Sequence, residues 1–175
     1  RSDRDWSSDV CSSDLAQTFL TSNICPQRPS LNQGPWCNLE LRIAELWPRR
    51  FGDVWVIAGA LSAPGGKRLP SGIDIPSAFY QIVVARKDNE LLAFATLMPQ
   101  NTRRRTYARS MLVSIDELEA LTGFDFLSAL PDDVESALES ATPTRLWPVG
   151  PAGAARLLYE DRKSTRLNSS HDQIS

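Results

Sequence analysis

Three side chains in the first half of the chain have types and a spacing that can do chemistry: Asn32, Trp36 and Glu40 stand at i, i+4 and i+8. In a regular helix, at about 100° per residue, they would drift by only about 80° over two turns. An amide and a carboxylate would then share one face with an indole between them, an odd face for a helix that only packs. Both are oxygen donors of the kind a hard cation takes, but the spacing alone does not identify a metal. Each residue also has an ordinary account. Asn32 reads as an N-cap, Glu40 as a solvated helix carboxylate and Asn23 as a turn residue. Trp36 is in either case mainly a core residue that anchors its helix to a sheet. A second candidate is the basic run Arg103, Arg104 and Arg105, followed by Arg109. Such arginines can track a phosphate backbone through salt-dependent, sequence-blind contacts, or simply form a solvated loop.

Other chemistries find little support. The single histidine is His171, in the closing tail, so no histidine-based metal site or triad can be drawn from the body of the chain. Gly65-Gly66-Lys67 fails as a phosphate loop, because Leu61 stands where the first glycine belongs and Arg68 where Ser or Thr belongs. Asp132, Asp133 and Glu135 read as first-turn acids answering the helix dipole rather than as a metal cluster. A carboxylate-based glycosidase needs two acids about 5–10 Å apart across a cleft, and only Glu40 is a candidate. Cys25 and Cys37 match no metal or haem spacing; a disulfide between them and two buried thiols both stay open.

The stretch around the first candidate resembles the DNA/RNA non-specific endonucleases, the sugar-non-specific nucleases of the ββα-metal (His-Me finger) type. Ser22, Asn23, Pro26 and Gln27 fit that family's Ser-Asn-x-x-Pro-Gln, and Asn32, Gln33, Gly34, Trp36, Leu39 and Glu40 fit its Asn-(Gln/Arg)-Gly-x-Trp-x-x-Leu-Glu. The similarity continues through Phe51 to Val56, Ile115 to Glu119 and Leu121 to Phe126. It implies a Mg²⁺ (or Mn²⁺) ion on Asn32, with Asn23 and Glu40 in the supporting network, and DNA and RNA as substrates. It also implies an extracellular or periplasmic location. Two departures stand out. The family's Asp-Arg-Gly-His, whose histidine is the general base, does not occur in the chain, which reads as an N-terminally truncated fragment expected to be nearly inactive. Ala44 stands where the family often places an arginine one turn beyond the glutamate; Arg42 and Arg49 are expected on other faces. The competing expectation is a non-catalytic nucleic-acid-binding or protein-interaction module with a nuclease-like fold.

The elements that must position these residues are legible in outline. Thr18 to Leu20 reads as a strand end, and Ser22 to Leu31 as loop. Pro35 is comfortable only in a first helical turn, so the helix is expected to start near Asn32 and run to Pro48, burying Leu39, Ile43, Leu46 and Trp47. Val54 to Ala60 reads as a strand covered on both faces, residues 62–72 as an exposed loop, and Phe79 to Arg86 with Leu91 to Leu97 as a hairpin turning at Asp88-Asn89. Ser114 to Glu117 is a capping box, Gly123 a helix stop, and a last helix opens near Pro131 and runs to about Ser140. This order implies an α+β domain, an antiparallel sheet with packed helices.

The 175 residues suffice for one domain, and 19 Lys+Arg against 21 Asp+Glu announce no polyanion partner. The domain is expected over 16–145, with a linker-like tail over 146–160. Residues 1–15 and 161–175 resemble translated sequencing-adapter DNA and are set aside. No run approaches the roughly 18 apolar residues of a membrane span, and nothing in the composition fixes an oligomeric state.

Overall fold

The computed structural model describes residues 25–150 and Gly153. The expected strand end at 18–20, Ser22, Asn23, both stretches set aside and most of the expected tail lie outside the described residues.

A single turn, α1 (Pro29–Leu31), leads through a widened turn at Asn32–Trp36 into α2 (Cys37–Leu41). A second wide turn, Arg42–Leu46, leads to α3 (Pro48–Phe51). Strands β1 (Val54–Leu61), β2 (Ala78–Lys87), β3 (Glu90–Pro99) and the short β4 (Leu112–Val113) form one antiparallel sheet in that order. Helices α4 (Ile115–Thr122) and α5 (Asp132–Glu139) follow the sheet. The antiparallel α+β architecture expected from the sequence is the one present.

Alternation along β2 and β3 sorts the core into two layers. Phe79, Val83, Phe94 and Met98 meet Leu31, Leu39 and Trp47 on one face. Tyr80, Ile82 and Ala95 meet Ile115 and Leu118 on the other. The helical segment carrying Asn32 and the pair α4–α5 therefore lie on opposite faces of the sheet. The stripe expected to bury does so: Leu39 and Trp47 are fully buried, Leu46 nearly so, and Ile43 packs beside them.

Local turn chemistry behaves as expected. Asp88 and Asn89 both take positive φ, 49° and 68°, and join β2 to β3 in a two-residue turn. Ser114 Oγ accepts from the Glu117 N–H at 3.0 Å, while Glu117 Oε2 accepts from the Ser114 N–H at 2.9 Å. Gly123 ends α4 in the left-handed region.

Three expectations need correction. Strand β1 is not covered on both faces. Among the described residues it is an edge strand with Trp55 and Val56 exposed, and the doubly covered strand is β2, which has neighbours on either side. An apolar run marks a strand but does not say which strand sits centrally. Second, Leu146, Trp147 and Val149 pack into the first core layer, so 146–149 belongs to the domain and not to a linker. Third, Cys25 and Cys37 are exposed thiols, neither bridged nor buried. Among the described residues no helix is long and apolar enough to cross a membrane.

Candidate functional site

The segment leading to Asn32 is fastened to a loop seventy residues on. Gln100, itself buried, accepts from the Arg28 N–H at 2.9 Å and donates through Nε2 to the Pro26 carbonyl at 2.7 Å. Ser30 Oγ donates to the Thr102 carbonyl at 2.9 Å. Residues 100–105 are thereby held beside α1 and the wide turn that follows it.

Arg28, in extended conformation, is the residue before the first helical turn, and Asn32 has fully helical angles of φ −55° and ψ −51°. Asn32 is therefore not an N-cap, and the ordinary account of its identity fails. The helix then breaks two residues later. Pro35 has no N–H to give to the preceding turn, and Gly34 leaves the helical region at φ −111°, ψ −118°. The Cys37 N–H closes the widened turn onto the Asn32 and Gly34 carbonyls. Pro35 is thus in a first turn, as its chemistry demands, but of the segment after the break. The even 100° progression holds from Trp36 to Glu40 and does not hold from Asn32 to Trp36.

Beyond the break the geometry is tight. Trp36 Nε1 donates to Glu40 Oε1 at 2.8 Å, and the Trp36 ring meets Phe79 of β2 edge-on at 5.7 Å. The sheet fixes the indole and the indole fixes one carboxylate oxygen of Glu40, an exposed residue. Asn32 is exposed and makes no side-chain hydrogen bond to another described residue. Asn23 lies outside the described residues. Ala44 is exposed, and burial pulls the half-buried Arg42 guanidinium below its ordinary value.

The basic run divides into two kinds of residue. Arg103 and Arg105 are exposed, whereas Arg104 is half-buried against the site segment. Its backbone fills the space a Cβ on Gly34 would need, with the carbonyl oxygen 2.7 Å from that position. Its Nη1 reaches Gln33 Oε1 at 3.4 Å, and its Nη2 is buried with no hydrogen-bond partner. A groove of about 600 Å³ runs alongside, lined by Gln27, Arg28, Lys67, Gln100 and Asn101 among others. Sequence reasoning missed Gln100, which announces itself only through its two long-range bonds.

The described part of the motif packs against one face of an antiparallel sheet, and similarity to known proteins decides what it belongs to. The sequence profile of the DNA/RNA non-specific endonucleases matches residues 1–133. The chain belongs to the DNA/RNA non-specific endonuclease family. The matched range takes in the opening residues set aside above.

A nuclease of Nostoc sp. is 32% identical over 136 residues, covering 73% of this chain and 49% of that protein. A nuclease of Serratia marcescens is 32% identical over 133 residues, 73% of this chain and 50% of the relative. The human mitochondrial nuclease EXOG is 33% identical over 132 residues, 66% of this chain and 36% of the relative. The chain thus spans about half the length, or less, of the curated relatives it matches. A solved EndoG/EndoGI complex, described as showing the mechanism of EndoG inhibition, contains a chain with the same fold. Its TM-score is 0.57 at 22% identity, over 66% of this chain and 52% of that one.

Proposed function

We propose that this member of the endonuclease family contributes the metal-holding half of a site that hydrolyses phosphodiester bonds of DNA and RNA without sequence specificity. The observation that carries the reading is the state of Asn32: helical, exposed and not a cap, inside the family's motif. Its amide oxygen and the Glu40 carboxylate, held on one oxygen by Trp36, are both of the donor type that a hard ion such as Mg²⁺ or Mn²⁺ takes. Asn32 would hold the ion directly, and Glu40 would orient its bound waters. Such an ion, when bound, supplies charge neutralisation at the phosphoryl oxygens. A neutral amide ligand leaves the ion's positive charge available for that purpose. Arg104, with a spare buried donor beside the Asn32 segment, would hold a phosphate, and the exposed Arg103 and Arg105 would add screened attraction to the backbone.

The general base belongs to the family's Asp-Arg-Gly-His, which the 175 residues do not contain. Positioned general-base catalysis is worth about 10²–10⁴ in rate, so the chain as given cleaves slowly at best. Plasmid nicking and RNA hydrolysis, run with Mg²⁺ and with Mn²⁺, test the reading on the chain and on an upstream-extended form carrying that tetrapeptide. The extended form should cleave both nucleic acids. Asn32→Ala should lower cleavage by more than about 10²-fold, and Glu40→Gln by about 10–100-fold. Undiminished cleavage by Asn32→Ala would overturn the assignment. Salt-dependent binding without any metal-stimulated cleavage would favour the non-catalytic module instead.

A further inference from the structure

On the sheet face away from Asn32, α4 and α5 bring together six acids. Asp116 and Glu119 lie on α4, Asp125 in the connection, and Asp132, Glu135 and Glu139 on α5. The first-turn acids of α5 answer the helix dipole, as the sequence suggests. Glu139 does not, because it is the last residue of α5, where the dipole disfavours negative charge. It is also 93% buried, at 7% exposure, and its Oε1 has no hydrogen-bond partner. A buried carboxylate oxygen with nothing to satisfy it is costly.

Its neighbours make the position stranger. Oxygens of Asp116, Glu119 and Glu139 lie within 4.8 Å of one another, and so do oxygens of Asp125, Glu135 and Glu139. Neither helix carries a basic residue in its last turn. The Phe126 N–H donates to Glu119 Oε1 at 2.8 Å, which fixes one oxygen of that carboxylate. Two ligands on one Ca²⁺, each at about 2.4 Å, can be at most about 4.8 Å apart, a limit that every pair within each trio meets.

We propose that the carboxylates between α4 and α5 form a second divalent-cation site, separate from Asn32, of the hard, flexible, oxygen-liganded kind that takes Ca²⁺. Glu139 is its central ligand, shared between the two trios, and the site's role is to tie α5 to α4. Burial first, then the charges of Glu119 and Glu135 and a hydrogen bond shared with Glu119, push the Glu139 carboxyl up to about 7, against a backbone hydrogen bond at Leu127 that lowers it.

Ca²⁺ titration by calorimetry and thermal unfolding of the whole chain, at pH 7.5 after chelation, tests the proposal. Ca²⁺ at about a hundred times its Kd should raise Tm by roughly 5–10 °C in the parent and equally in Asn32→Ala. Glu139→Gln removes a repulsive charge without changing shape, so it should fold; it should lose Ca²⁺ affinity at least tenfold. Glu119→Gln provides a second reading of the same loss. Absence of any Ca²⁺-dependent shift in the parent up to about 10 mM, beyond the weakest sites of this class, overturns the proposal. So does an equal shift in Glu139→Gln. Loss of the shift in Asn32→Ala would move the ion to the other site and also overturn it.

Discussion

An acid that is buried beside other acids makes folding depend on pH, and Glu139 is that acid. Its carboxyl rises from 4.5 to about 7 in the folded protein, through burial first and then Glu119 and Glu135. Glu135 is raised as well, by burial and by Asp125, Asp132 and Glu119. Between pH 4.5 and about 7 the folded state therefore holds a proton that the unfolded state has released. Stability falls as pH rises through that window, and the fall is complete above it. Asp116 completes the group facing Glu139, and α4 and α5 offer no cation to offset the trend. Urea midpoints taken with chelator at pH 4.5, 6 and 7.5 should decline in that order, and Glu139→Gln should flatten the decline. A midpoint that climbs with pH would contradict the account. None of this was legible in the sequence, where Glu139 ends an unremarkable amphipathic run and its burial depends on two helices meeting. Asn32 and Glu40, by contrast, stand out in the sequence because they fall within a ten-position motif.

What positions Asn32 is a break in a helix, and the break has two causes that act together. Pro35 withholds an N–H, which is a local fact visible in the sequence. Gly34 gives the room for the Arg104 backbone, and that is a contact across seventy residues that no local pattern reveals. A methyl group at Gly34 would stand 2.7 Å from the Arg104 carbonyl oxygen. Gly34→Ala should therefore cost about 1–3 kcal/mol and push residues 100–105 away from the Asn32 segment. Denaturant unfolding reads the first effect. The second should appear as faster amide exchange at Arg28, whose N–H loses its hold on Gln100. The capping box at Ser114 is the opposite case, since all its partners lie within four residues. Ser114→Ala should lower stability by about 0.5–2 kcal/mol without disturbing the Asn32 segment, and a change in nucleic-acid affinity would show that the two sheet faces are coupled.

The motif packs on one face of the sheet and the acidic helices on the other, with the strands between them. Composition marked β1 as apolar but not as an edge, because edge or centre depends on which strand pairs with which. The same non-local logic hid the packing of residues 146–149. Trp147 looks like an isolated aromatic in a Pro- and Gly-bearing tail. In the fold it meets Trp47 at 5.2 Å, Phe51 at 5.1 Å and Phe94 at 4.9 Å, all edge-on. Its carbonyl accepts from Trp47 Nε1 at 3.2 Å, which satisfies an indole N–H that is otherwise sealed in the core. Trp147 is half-buried, so removing its ring opens a gap against Trp47, Phe51 and Phe94, and the expected cost of Trp147→Ala is about 2–3 kcal/mol. Ending the chain after Arg145 should cost at least as much, because it also strips Leu146, Val149 and the acceptor for Trp47. Against a total of about 5–15 kcal/mol for an ordinary domain, either change removes a substantial share of the stability. Near-ultraviolet circular dichroism and urea midpoints of the two variants check this. Native-like stability after truncation at Arg145 would return 146–149 to the status of a linker and remove the aromatic cluster from the forces that hold the Asn32 segment in place.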